Sequence, residues 1–143
     1  MRHSLRTLLM VTLLTACANT EAENQAFLDA AAAEPGAEVT ASGLVYLEME
    51  AGTGAQPLLS SDTVVVEYVG RLTDGTLFDD GSIEIRLNQV ISCWTEGVAK
   101  MAEGGRSKLT CPPSLAYGAS GSGPIPGNAV LVFEVKLIDV VGR

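Results

Sequence analysis

The chain has 143 residues, 47% of them apolar and only 5% aromatic, with a formal charge of -8. That length allows one domain with a proper core. From residue 17 onward 7 basic residues face 17 acidic ones, and a surface that acidic argues against nucleic acid as a partner and against electrostatic adhesion to anionic lipid.

Residues 1–16 read as a secretory leader rather than as part of the fold. Arg2, His3 and Arg6 form a basic start, followed by an apolar run over 8–14 (LLMVTLL). That run is far shorter than the ~20 residues a membrane span needs. The end of the leader, Leu14-Thr15-Ala16-Cys17, resembles the lipobox of bacterial lipoproteins. The resemblance implies cleavage before Cys17 and acylation of its thiol and new amino group, which together hold a protein stably on a membrane. Alanine at position 18 implies sorting to the outer membrane, facing the periplasm. The alternative is an ordinary cleaved leader in which Cys17 is incidental.

Residues 17–41 are expected to form a flexible linker that tethers the domain. Residues 22–33 can make a short helix, but Phe27 and Leu28 are its only large apolar residues, and an exposed helix of that length is marginal without packing. No helix of a length useful for dimerisation is evident, so a monomer is expected. The folded domain occupies residues 42–143. Residues 44–50 (LVYLEME) read as a strand and 52–57 as a Gly- and Pro-rich loop. Residues 63–72 (TVVVEYVGRL) are β-branched and alternating, a strong strand with Val64, Val66, Tyr68 and Gly70 on one face. Asp74-Gly75 then signals a hairpin. The return strand starts at 76–79 (TLFD), is expected to be interrupted at Asp80-Gly81-Ser82, and resumes with Ile83, Ile85 and Leu87 alternating against Glu84 and Arg86.

Residues 90–118 (VISCWTEGVAKMAEGGRSKLTCPPSLAYG) hold the single tryptophan, Trp94. A short helical pattern follows, with Ser92 as its cap, Val98 and Met101 on one face, and Gly104-Gly105 as its stop. Residues 106–111 read as a strand ended by Pro112-Pro113. A Gly-rich loop fills 118–127, and 129–140 (AVLVFEVKLIDV) form the clearest strand of all. Short connections between five or six strands argue for antiparallel pairing. With one short helix across a twisted sheet, the expected class is α+β.

Taken together, DGTLFD, VI..WTEG, PPSLAYG and LVFEVKLIDV recur in an order and spacing that resemble the FKBP-type peptidyl-prolyl isomerases, in particular the bacterial periplasmic branch with the macrophage infectivity potentiators. The resemblance spans about residues 42–141. It implies a twisted antiparallel sheet wrapped around one helix, with an apolar pocket for a prolyl ring between them. Trp94 would be its floor. Tyr68, Phe78, Val90, Ile91 and Phe133 would be its walls, Asp79 would lie at the rim beside Tyr68, and Ile125 would overhang it. The Tyr117 hydroxyl and the Ile91 N–H would hold substrate carbonyls. Ile83 stands where several members carry a phenylalanine, the 118–128 loop is about one residue short against the best-known eukaryotic members, and Ser92-Cys93 replaces a pair that usually ends in glycine. The resemblance also implies proline-containing polypeptides as substrates, the macrolide inhibitors of the family as candidate ligands, and neither cofactor nor metal. In that fold Cys93 and Cys111 face each other closely, which implies a disulfide; two buried free thiols are the alternative. The function so implied is isomerisation of X–Pro bonds in exported proteins, with a weakly catalytic peptide-binding or chaperone module as the alternative.

Overall fold

The computed structural model describes residues 19–143, so the leader and Cys17 lie outside the described residues. Six strands, all antiparallel to their neighbours, form one sheet in the order β1-β2-β5-β6-β3-β4. They are β1 (Glu38–Val39), β2 (Val45–Glu50), β3 (Thr63–Leu72), β4 (Leu77–Arg86), β5 (Arg106–Cys111) and β6 (Leu131–Val140). Helix α1 (Glu21–Ala32) precedes the sheet. Helix α2 (Ser92–Val98) lies between β4 and β5, after a single-turn helix at Leu87–Gln89. The α+β class, an FKBP-like sheet with its helix, is the architecture observed.

Alternation along the central strands sets which face is apolar. On β6, Leu131, Phe133, Val135 and Leu137 are buried while Glu134 and Lys136 face outward. On β3, Val64 and Val66 are fully buried and line up with Tyr68 and Gly70 on the same face. Helix α2 covers this face with Cys93, Trp94 and Val98. Gly97 lets it come close: a Cβ there would stand 2.7 Å from a Leu109 methyl on β5. Cys93 of α2 and Cys111 at the end of β5 are joined as a disulfide, their Cα atoms 5.9 Å apart and both side chains fully buried.

Three local expectations differ from what is observed. The β3–β4 hairpin turns at Asp74-Gly75, with Gly75 at φ 88°, but Asp80-Gly81-Ser82 does not interrupt the return strand. These residues pair with Val69, Tyr68 and Glu67, and the extra residue is Phe78, between the pairs Gly70–Asp79 and Arg71–Leu77. Gly81, at φ 149°, takes a backbone conformation other residues rarely adopt, so the strand runs through. Ser92 is the first residue of α2 rather than its cap; the Ile91 carbonyl accepts from the Trp94 and Thr95 N–H groups instead. Finally, residues 19–41 do not hang as a free tether. Thr20 and Glu23 form a capping box that starts α1. Ala31 and Asn24 are buried, Glu34 pairs with Lys108 of β5 at 2.7 Å, and β1 adds to the sheet beside β2. The packing that an isolated helix would lack comes from the sheet: α1 contacts β2, and Phe27 and Ala31 share a depression on the outer face with Thr110 and Val132. Among the described residues no helix is long and apolar enough to cross a membrane.

Candidate functional site

A cavity of about 460 Å³ opens between the concave face of the sheet and α2. Its lining comes from five places in the chain: Tyr68 on β3; Phe78, Asp79, Ile83 and Ile85 on β4; Gln89, Val90, Ile91 and Trp94 around the start of α2; Tyr117; and Phe133 on β6. Sheet register assembles the aromatic part. Gly70 of β3 sits opposite both Asp79 of β4 and Phe133 of β6, so the residues flanking that glycine on either side converge on one spot.

Four rings then follow one another edge to face. Tyr68 and Trp94 are 5.1 Å apart at 77°, Trp94 and Phe133 are 5.3 Å apart at 84°, and Phe133 and Phe78 are 5.5 Å apart at 86°. Each such pair adds about 0.5–1.5 kcal/mol beyond simple burial. Trp94 is 6% exposed where it lines the cavity, and its indole N–H has no protein partner. Tyr117 stands at the rim, 40% exposed, beyond the single-turn helix Pro113–Leu115.

The polar part of the site is small. The Tyr68 hydroxyl donates to Asp79 Oδ2 at 2.8 Å. Burial pushes the Tyr68 phenol up to about 12, with the bond to Asp79 as the next cause, so the hydroxyl remains a proton donor. No nucleophile is paired with a base here. The arrangement can receive a compact apolar group and offer it a few fixed polar contacts, which suits binding and bond rotation rather than bond cleavage.

The structure brings nine of the ten residues expected at a pocket to this cavity: Tyr68, Phe78, Asp79, Ile83, Val90, Ile91, Trp94, Tyr117 and Phe133. Ile125 is not among them. It is 7% exposed and belongs to the same buried cluster as Trp94 and Phe133, on a loop closed by the Ser122–Ile125 bridge. Sequence reasoning missed Ile85, Gln89 and Gly70. Ile85 was legible, being two residues from Ile83 and so on the same strand face. Gly70 carried a signal as well, since a glycine inside a strand marks a close approach: a Cβ there would stand 2.6 Å from Phe78 and 2.9 Å from Phe133. Gln89 carried none. A larger depression of about 640 Å³ lies on the outer face of the sheet, but Glu50, Glu67, Arg106, Glu134 and Lys136 give it a charged lining unsuited to an apolar group.

This fold and pocket define a member of the FKBP class. The family model described as FKBP-type peptidyl-prolyl cis-trans isomerase matches residues 54–138, and the chain belongs to that family. Among curated relatives, the FKBP-type peptidyl-prolyl cis-trans isomerase FkpA of Escherichia coli is 44% identical over 128 residues, covering 86% of this chain and 47% of FkpA. The crystal structure of that protein superposes with a TM-score of 0.81 at 45% identity, over 84% of this chain and 58% of the solved one. The outer membrane protein MIP of Legionella longbeachae is 44% identical over 126 residues, 84% of this chain and 54% of MIP. A solved peptidyl-prolyl cis-trans isomerase from Pseudomonas syringae pv. tomato gives a TM-score of 0.81 at 39% identity, covering 88% of this chain and 98% of that one. This chain thus spans about half the length of the curated relatives it matches.

Proposed function

We propose that this protein is a peptidyl-prolyl cis-trans isomerase acting on proline-containing segments of exported polypeptides. The observation that carries the reading is the row of four perpendicular rings, Tyr68-Trp94-Phe133-Phe78, along one apolar cavity. The barrier to rotation about a peptide C–N bond is ~18–20 kcal/mol and arises from amide resonance. Rotation needs neither acid nor base. At the twisted transition state resonance is lost and the carbonyl becomes less dipolar, so an apolar surrounding penalises the planar amide more than the twisted one. That is preferential binding of the transition state. Acceleration by five to six decades corresponds to about 7–8 kcal/mol. In this reading Trp94 and its neighbouring rings hold the proline while the preceding carbonyl swings, and the Tyr117 hydroxyl and Ile91 N–H hold carbonyls on either side. The macrolide inhibitors of the family would occupy the same cavity.

The proposal extends to location. Cleavage before Cys17 and acylation there would anchor a monomeric protein to the periplasmic face of the outer membrane, a setting in which the Cys93–Cys111 bond stays oxidised. The lipobox-like sequence supports this, as does the likeness to a relative named for the outer membrane.

A protease-coupled assay on a peptide of the Ala-Leu-Pro-Phe type tests the activity: a rate above the uncatalysed exchange is expected, and none would sink the reading. The intact mass of membrane-extracted protein tests the acylation and the disulfide together.

A further inference from the structure

Helix α1 lies outside the stretch that the family model matches, yet it carries a buried amide. Asn24 is 5% exposed, and a polar side chain so placed is costly unless it is bonded. Its Nδ2 donates to the Asn128 carbonyl at 2.9 Å, while its Oδ1 is buried without a protein partner. Asn128 in turn donates its Nδ2 to the Asn19 carbonyl at 2.8 Å, and the Asn19 amide donates to Thr73 Oγ1 at 2.9 Å in the β3–β4 turn. Three asparagines therefore form a clasp between the N-terminal segment and two loops.

Asn128 also closes the neck of the 118–128 loop, donating its backbone N–H to the Gly118 carbonyl at 2.8 Å. It is the one non-glycine among the described residues with positive φ, at 57°, a conformation that asparagine tolerates. The loop itself is closely packed. Ser122 and Ile125 bridge within it, and a Cβ at Gly121 or Gly127 would stand 2.3 or 2.2 Å from the Ile125 or Ala119 carbonyl oxygen. Tyr117 of the cavity is the residue next to that neck. The other end of the clasp, Thr73, lies five residues before Phe78 of the cavity.

We propose that Asn24 and Asn128 are positioning residues for the prolyl site: by fixing the neck of the 118–128 loop from α1, they set the placement of Tyr117 over the cavity. This rests on the isomerase reading for its kinetic consequence, though not for its structural one. The test uses Asn24→Ala and Asn128→Gly in the full chain, each alone and combined with Tyr117→Phe. Glycine at 128 keeps access to the left-handed backbone and removes the side-chain bond to Asn19, while adding backbone freedom there that Asn24→Ala does not add. Each variant is expected to lower kcat/KM on the proline peptide roughly three- to tenfold, within the range of such indirect couplings. Each should cost little further in the Tyr117→Phe background, because the two changes act through one group. Amide exchange at Asn128 should quicken about tenfold while the amides of β3 and β6 keep their protection. An equal loss in both backgrounds, or an unchanged exchange rate at Asn128 in the folded variants, would overturn the proposal. If the unaltered chain shows no isomerase activity, it is the isomerase reading that fails, and amide exchange still decides the clasp.

Discussion

Trp94 meets Tyr68 on one side and Phe133 on the other, and its own side chain is almost wholly covered. Its role as floor and its role in the core are therefore one surface. Trp94→Leu should leave a folded protein, because a branched apolar side chain still fills much of the space, but it removes both edge-to-face contacts and the flat face on which the proposed reading sets a proline. We expect kcat/KM on a proline peptide to fall roughly tenfold, about 1.4 kcal/mol, with far-UV circular dichroism unchanged; full activity would show that the ring is only packing. Gly70 makes the opposite prediction, of too much volume rather than too little. A methyl at Gly70 would press on Phe78 and Phe133 at once. Overpacking of this kind costs about 1–3 kcal/mol, so Gly70→Ala should lower the melting temperature and weaken binding of proline peptides together. A variant as stable and as active as the parent would mean that the two rings give way freely.

Helix α2 is seven residues long, too short to persist alone, and its place is fixed from several sides. Gly97 admits Leu109, the Thr95 hydroxyl bonds the Leu87 carbonyl, and the disulfide ties Cys93 to Cys111 across a separation of 18 residues. Since Trp94 follows Cys93 directly, the same bond steadies the pocket floor. Converting both cysteines to alanine should lower the unfolding free energy by about 3 kcal/mol, measured by urea titration in the absence of reductant, and the parent protein in reductant should shift by a similar amount; no shift in either would make the bond irrelevant to stability. Elements of this kind explain what could be read in advance. Strands β3, β5 and β6 announce themselves because each alternates over one buried face, and Tyr68 and Phe133 follow from them, whereas Phe78 on β4, Trp94 on α2 and Tyr117 were reached through the family motifs that contain them. Helix α1 was not legible as packed structure: its contact with the sheet rests on small alanines, one buried asparagine and a partner surface at Thr110 and Val132 that is about 80 to 110 residues away, and no local pattern encodes such a contact.

Across the whole molecule, an acidic chain is held together at its loops by carboxylates. Glu103 accepts the N–H groups of Val140 and Ala55, at 2.7 and 3.3 Å, and so joins the end of β6 to the loop after β2. Asp62 accepts the N–H groups of Leu58 and Leu59 and pairs with Arg143. Asp74 caps the hairpin by accepting from Thr76. These bonds favour the ionised form, so all three groups lie below their ordinary values of 4.5 for Glu103 and 3.8 for Asp62 and Asp74, the leading cause being the Val140 N–H, the Leu58 N–H and Thr76 respectively. A carboxylate whose pKa is lower in the folded chain than in the unfolded one contributes stability that is complete above the unfolded value. That stability is lost as the pH falls through the folded value. Tyr68 has the opposite sign: raised from 10.0 to about 12, it stabilises fully below the unfolded value and loses that effect only as the pH rises through the folded one. The melting temperature should therefore be level from about pH 5 to 9 and should drop on further acidification. Glu103→Gln should lower the melting temperature at neutral pH and make the acid limb shallower, because one of the titrating groups is gone. Thermal melts across the acid range check both outcomes, and a melting temperature that held or rose below about pH 4 would mean that relief of the net negative charge outweighs these loop contacts.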